Sequence, residues 1–508
     1  MLIIFFYIIF FYLLGAASLP KELVLANKKN RIVAELLATL LGMTIWMTLS
    51  VGLGRVCSFT STYLLVLLTI IVIFIIIRRK YLFLPRMRES QIILLVAFLA
   101  GCFVTWHTYP LEKDGMLLFN QASYDYTRSA IIRSIATFGL PPRNPWLAEN
   151  GISEILVYYY GWYALAAQIP LLTNMHSLAS ECFMAGVSTF AVLSWIAAIT
   201  IECDHRDRRS VWLFLFFLIF FTGILYQPDN EWFKHSFVNR LLPDETAGFW
   251  PISCNLIISP HHSFAGATII MLNFFHRKMF RTNQLKLRIH LSILIGMILV
   301  AAVFSSVYAG AIAIVFIILT MLILRHTNVH VRIMLRKNLL IQPIFIIISG
   351  AFTFFFIFKY LLAYPSEDFP LAFGIPTGFD GTGIVDWITS LTKFYFVYLP
   401  LRLGWIYIIG MAIILIPCLL KDVAFIGGTR YFILLCFAAI GMVHSSYYSN
   451  DFGWRLITAA TYYLAVFTAI WLSRFFDNYV LSKSKRKKIV GYGVVVLMLL
   501  SCSCMWNN

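Results

Sequence analysis

The chain has 508 residues, of which 60% are hydrophobic, 16% aromatic and only 12% charged, with a mean hydropathy of +0.82. Those values exclude a water-soluble globular enzyme and describe a polytopic membrane protein whose length goes into spans rather than soluble domains. The formal net charge of +17 does not mark a nucleic-acid binder, because the bases form short clusters between apolar runs, where they orient a protein in a bilayer.

Taken in order, the apolar runs predict spans near residues 2–19, 33–53, 61–77, 90–106, 181–201, 210–226, 261–276, 291–306, 308–324, 339–362, 394–420, 430–447, 456–473 and 489–505, fourteen in all. The first ends in small residues, as a signal peptide does, but lacks a basic leader and reads as a retained span. The segment 153–173 is a doubtful fifteenth. If it stays outside, the loops beginning at Lys21, Arg78, Glu202, Arg277, Arg325, Lys421 and Arg474 share one face and hold 29 of the 40 Lys and Arg residues. If it crosses, basic loops before and after it face opposite sides, against the positive-inside rule. It therefore reads as a juxtamembrane or re-entrant segment on the non-cytoplasmic face. The run KSKRKK at 483–488 is a cytoplasmic membrane-surface patch. The nine cysteines show neither metal-ligand spacing nor a disulfide framework.

This gives a four-helix membrane segment (1–106), a first large outer loop (107–180), a transmembrane core (181–475) and a basic loop with a last span (476–508). Acidic residues show the reverse bias, 15 of 23 lying on the outer face; since Asp and Glu contribute little to topology, that excess indicates a functional face.

The densest polar stretch is 120–163, NQASYDYTRSAIIRSIATFGLPPRNPWLAENGISEILVYYYGWY. Ile131, Ile132, Ile135 and Phe138 recur at helical spacing, which predicts a short amphipathic helix over 124–138, stopped by Gly139, Pro141 and Pro142. Asp125 then falls in the first turn, where free N–H groups and the positive end of the helix dipole favour an ionised carboxylate. Arg128 follows on the same face. The plainer alternative is a helix cap at Asp125 and a headgroup contact at Arg128. The segment from LPPRNPW to YYYGWY cannot cross hydrocarbon and belongs in water, in the headgroup zone or in a protein cavity.

Three further outer stretches carry polar chemistry. They are 227–262, with Asp229, Glu231, Asp244, Glu245, His261 and His262; the Pro- and Gly-rich 363–393, long enough for a lid; and 445–455, SSYYSNDFGWR. A carboxylate, histidines and spaced arginines near a membrane surface suit transfer of a group from an anionic lipid carrier. Asp125 is the candidate base. Arg455, beside Asn450 and Asp451, is the candidate ligand for a lipid phosphate, or else an interfacial anchor that snorkels. His261 and His262 follow Pro260 at a predicted helix start, where the dipole favours a neutral imidazole. Only one of two adjacent helical residues faces a given site, and His262 is preferred, with a pair of interfacial histidines as the alternative. Tyr159 and Tyr160 are candidate substrate contacts. Glu149 and Glu154 are either a second carboxylate or solvated loop residues.

In this order the features resemble the GT-C superfamily of integral-membrane glycosyltransferases: an Asp-led helix in the first large outer loop, then GLPPRNPW and YYYGWY, later FWPISCNLIISPHH, and NDFGWR opening a late span. Bacterial multi-pass members, including the Tyr-Tyr-Tyr domain proteins, are similar. The resemblance implies an all-α GT-C-like fold with about fourteen spans, in a plasma or bacterial inner membrane with its active face outside. It further implies transfer of a sugar from a polyprenyl-phosphate donor to a glycan, lipid or protein acceptor, with inversion. It assigns Asp125 as the catalytic Asp, His262 as the outer-loop His and Arg455 as the phosphate-binding Arg. The chain departs from the family in having four spans before the catalytic loop, Arg128 where many members have His, and no Asp-x-Asp or Glu-x-Asp pair. A magnesium or manganese ion held by Asp125, Glu154 and His262 is the alternative to a metal-free base. A glycolipid flippase, or an O-antigen ligase or polymerase, would use the same outer arginines; a transporter would bury charge at mid-membrane and show related halves, neither of which the sequence displays.

Overall fold

A computed structural model describes residues 2–25, 27–113, 116–118, 127–149, 152–156, 160–204, 211–221, 252, 256, 259–327, 372–373, 384–416, 418–420, 423, 426–440, 443–444, 451–481 and 484–493. The fold is all-α, and the strands among the described residues form three two-stranded pairs. By internal contacts the chain divides into two units. Unit one comprises Met1–Ala198 with Leu256–Tyr364, and unit two Ile199–Asn255 with Pro365–Asn508.

Unit one begins with α1 (Leu2–Ser18), α2 (Lys21–Leu25), α3 (Lys28–Gly54), α4 (Ser61–Ile77) and α5 (Arg88–Thr108). The hairpin β1 (Leu111–Lys113) and β2 (Met116–Leu118) leads to α6 (Thr127–Phe138), a second hairpin of β3 (Arg143–Glu149) and β4 (Ile152–Ile155), then α7 (Gly161–Thr173) and α8 (Ser177–Cys203). After α9 (Val211–Phe221) of unit two, α10 (Pro260–Arg281), α11 (Leu285–Ser305) and α12 (Val307–Thr327) complete unit one.

Small residues determine how closely α1 and α3 pack. A Cβ added at Gly15 would strike the Ala38 carbonyl, and one at Gly42 the Phe11 carbonyl, so the two backbones touch where neither carries a side chain. Gly101 of α5 and Gly186 of α8 repeat the device: a Cβ on Gly101 would lie 2.6 Å from the Gly186 oxygen. Small-residue contacts of this kind drive helix association where lipid removes the hydrophobic difference. At the basic end of α3, Glu35 is fully buried and accepts from Arg31 Nε at 2.7 Å, from the Arg86 amide at 3.2 Å and from Ser90 Oγ. Three donors, one of them a cation, hold that carboxylate in a place where an unpaired one would be costly.

In unit two, α13 (Ile384–Lys393), α14 (Leu399–Leu415) and α15 (Ile426–Ile440) precede α16 (Asp451–Phe475), which packs on α9, α14 and α15. Gly404 at φ 54° kinks α14. Arg474 and Asp204 pair at 3.2 Å, both largely buried. β5 (Ala372–Phe373) pairs antiparallel with β6 (Val443–His444), tying the Pro- and Gly-rich loop to the approach of α16.

Five helices among the described residues are long and apolar enough to cross a bilayer: Lys28–Gly54, Arg88–Thr108, Ser177–Cys203, Leu285–Ser305 and Ile457–Val480. They mark a multi-pass membrane protein. The expectation of fourteen is thus corrected to five for these residues, and the reason is length and charge. Helices α1 and α4 have 17 residues each, about 26 Å at the helical rise against a ~30 Å hydrocarbon core; α9 has 11; α10 carries Arg277, Lys278 and Arg281. The expected span 339–362, most of 489–505 and the stretch 222–251 with Asp229, Glu231, Asp244 and Glu245 lie outside the described residues. In the place of the doubtful fifteenth span stands α7, which at 13 residues reaches only about 20 Å.

Candidate functional site

The site in unit one is assembled from α6, α7, the start of α8 and the start of α10. Helix α6 buries Ile131, Ile132 and Ile135, as their spacing requires, and stops at Gly139, whose φ of 81° suits glycine. Phe138, expected on the buried face, is instead 56% exposed, with the Arg143 guanidinium 4.9 Å above its ring. Ser134 Oγ donates to the Arg143 carbonyl at 2.6 Å, so the helix and the following hairpin are bonded together.

Arg128 lies in the first turn of α6, on its buried face. Its Nε meets Glu181 Oε1 at 3.0 Å, and neither side chain is more than 10% exposed. Arg128, expected on the polar-site face of this helix, is bound to a carboxylate on α8. Glu181 is not among the candidate site residues read from the sequence. What marks it in the sequence is that it stands alone in a long apolar run.

Gly161, Trp162 and Tyr163 of the YYYGWY stretch open α7, behind Tyr160. Gly161 fits there because a Cβ would lie 2.6 Å from Phe304 Cβ, at the end of α11. Trp162 and Tyr163 are fully buried; Trp162 Nε1 donates to Ser188 Oγ of α8 at 2.8 Å, and Tyr163 Oη lies 3.3 Å from His261 Nε2. His261 and His262 occupy the first turn of α10 behind Pro260, both buried, their ring centroids 3.8 Å apart. The expected preference for His262 thus leaves out the neighbour that reaches Tyr163. Tyr160 is buried below the Arg55 guanidinium, 5.9 Å from its ring centroid. Burial pushes its phenol up to about 12, with Arg55 pulling the other way, so at neutral pH it is an uncharged hydroxyl. Arg55 was missed by sequence reasoning; the available signal was its position as a lone cation on the base-poor face.

Further along α7, Gln168 accepts from Trp46 Nε1 at 2.6 Å and donates to Ser50 Oγ at 3.1 Å, both on α3. Replacing it by leucine removes both bonds and leaves a buried indole N–H without its acceptor. Gln168→Leu should cost about 1–3 kcal/mol, read as a lower melting temperature in detergent, whereas a change within error would show that water takes over.

Asp125 and Tyr159 lie outside the described residues, as do the side chains of Glu149 and Glu154, whose backbones sit on β3 and β4. Asp451 opens α16 in unit two and Arg455 stands one turn further on; their side chains, and Asn450, also lie outside the described residues. Among the described residues no group of three or more His, Cys, Asp or Glu could hold a metal; of the candidate ligands, Asp125 and the Glu154 side chain lie outside those residues.

A protein of Sinorhizobium fredii named uncharacterized protein y4nK is 26% identical over 227 residues, 44% of this chain and 33% of that protein. The chain therefore spans about a third of the length of that relative. No protein-family description matches the chain. No solved structure matches it.

Proposed function

We propose that the protein is a GT-C-type membrane glycosyltransferase that moves a sugar from a polyprenyl-phosphate donor to an acceptor hydroxyl on the non-cytoplasmic face of a plasma or bacterial inner membrane. The observation that carries this reading is the convergence, within unit one, of three stretches, the last of them far from the other two in sequence. The helix that follows Asp125 packs on α7, α7 opens with Gly161, Trp162 and Tyr163 of YYYGWY, and Tyr163 meets His261 of the SPHH stretch.

The chemistry follows from the residue types. Asp125 takes the proton of the acceptor hydroxyl while its oxygen attacks the anomeric carbon from the side opposite the phosphate. The bond to the phosphate oxygen breaks with its electron pair, giving inversion and a lipid phosphate. The resemblance assigns that leaving phosphate to Arg455, whose planar fork suits it. Arg128 is a positioning residue: bound to Glu181, it fixes the start of α6 immediately after Asp125. Tyr160 and the histidines are hydrogen-bonding groups of a kind suited to sugar hydroxyls.

Asp125→Asn, assayed with a radiolabelled polyprenyl-phosphate sugar, should lose about 100-fold or more in turnover while keeping its melting temperature. Undiminished turnover would remove Asp125 from the role of base. Lipid movement without a glycosidic product in the wild type would make the protein a flippase.

A further inference from the structure

Unit one contains a crevice of about 530 Å³ between α1, α3, α4 and α11 that the proposed chemistry does not use. Its deep walls are aliphatic, including Ile45 and Leu49 of α3 and Ile293 and Met297 of α11. Its mouth is formed by Ser18, Arg78, Lys286 and His290, and no carboxylate is among the lining residues. The two ends are held in register: Thr48 Oγ1 donates to the Met297 carbonyl at 2.8 Å at the closed end. At the mouth, Arg78 Nε donates to the Ala17 carbonyl at 3.2 Å, and His290 Nε2 lies 2.7 Å from the Ser18 carbonyl. Arg78 is thereby fixed at the rim, next to the exposed Lys286.

Two dimensions identify what fits. From Lys286 to Met297 the crevice follows α11 for about 16 Å, about half of a ~30 Å hydrocarbon core and so the depth of a single leaflet. Ile289 and Ile293 are 37% and 43% exposed, which opens the crevice sideways onto the apolar surface that α4 also presents. Arg78 and Lys286 belong to the loops that the positive-inside rule places in the cytoplasm. An aliphatic slot open to the bilayer accepts an acyl chain, and two cations without a carboxylate at its mouth select a lipid with net negative charge. A polyprenyl chain is much longer than a single-leaflet slot.

We propose that this crevice is a binding site for one anionic phospholipid of the cytoplasmic leaflet, with an acyl chain along α11 and its phosphate between Arg78 and Lys286. The inference is independent of the glycosyltransferase reading, since it concerns the opposite face of the membrane and involves no reaction.

The test counts lipids that stay bound to the full-length protein by native mass spectrometry, with palmitoyl-oleoyl phosphatidylglycerol and phosphatidylcholine of the same chains as probes. The wild type should retain one phosphatidylglycerol and release phosphatidylcholine. Lys286→Gln, an exposed change that leaves the packing intact, should weaken retention about fivefold, and the double variant with Arg78→Gln about 30-fold, as the surface attraction of one and two cations requires. Ile293→Trp keeps both cations but fills the slot and should also lose the lipid. Equal retention of the two lipids, or undiminished phosphatidylglycerol in Lys286→Gln or in Ile293→Trp, would overturn the proposal.

Discussion

Glu181→Gln is expected to lower the stability of the protein by about 3–5 kcal/mol, because it leaves the Arg128 guanidinium buried without its counter-charge. The pair is 3.0 Å apart, with side-chain exposures of 8% and 10%, so water cannot replace the lost carboxylate cheaply. Removing both charges is a different experiment. Arg128→Met with Glu181→Leu substitutes side chains of comparable size for a desolvated pair and should recover most of the loss, since the attraction between buried charges roughly repays their desolvation. Melting curves of the two single variants and the double variant in the same detergent give the coupling between the sites. Single-variant losses below about 1 kcal/mol, the range of exposed pairs, would show that the site is wetter than its burial indicates. Because Arg128 lies three residues after Asp125, the single variants should also lose the proposed transferase activity in detergent below their melting temperatures, while the double variant separates the need for a charge from the need for a fixed helix start.

Gly42→Leu should prevent the folded protein from accumulating. A Cβ at that position would strike the Phe11 carbonyl and lie 2.9 Å from the Gly15 amide nitrogen, both backbone atoms that no rotamer change can move away. Overpacking that side chains can absorb costs about 1–3 kcal/mol; here α1 and α3 must separate, and the loss should be at least about 3 kcal/mol. Gly52→Leu on the same helix is the matched control, because a Cβ there meets nothing within 4 Å. The readout is the monodisperse fraction after detergent extraction. Equal recovery of the two variants would mean that α1 is not seated against α3 as described.

The helices were legible because hydropathy is a local property. Nearly every apolar run read from the sequence within the described residues carries a helix, and the stop of α6 at Gly139 follows from a residue that tolerates positive φ. The strand pairs at 111–118 and 143–155 were not anticipated, although the signal was present. Lys113 pairs with Met116 across Asp114-Gly115, and Glu149 with Ile152 across Asn150-Gly151, the dipeptides that favour two-residue hairpin turns. Prolines and aromatics around the second pair drew attention to the membrane surface instead. The partner of Arg128 was not legible, since Glu181 is 53 positions away and only the tertiary fold brings the two together. For the histidines, helical periodicity says that neighbours diverge by about 100° but not which one meets a partner; the answer depended on α7, whose seat is set by Gly161 against Phe304.

The contact between Gly15 and Gly42 also bears on biogenesis. Its two helices are separated by one short basic connection, so they can close on each other as a hairpin as soon as the second leaves the insertion machinery, long before α11 has been synthesised. Such an early pair shelters the short α1 from lipid and gives every later helix of its unit a finished surface on which to assemble.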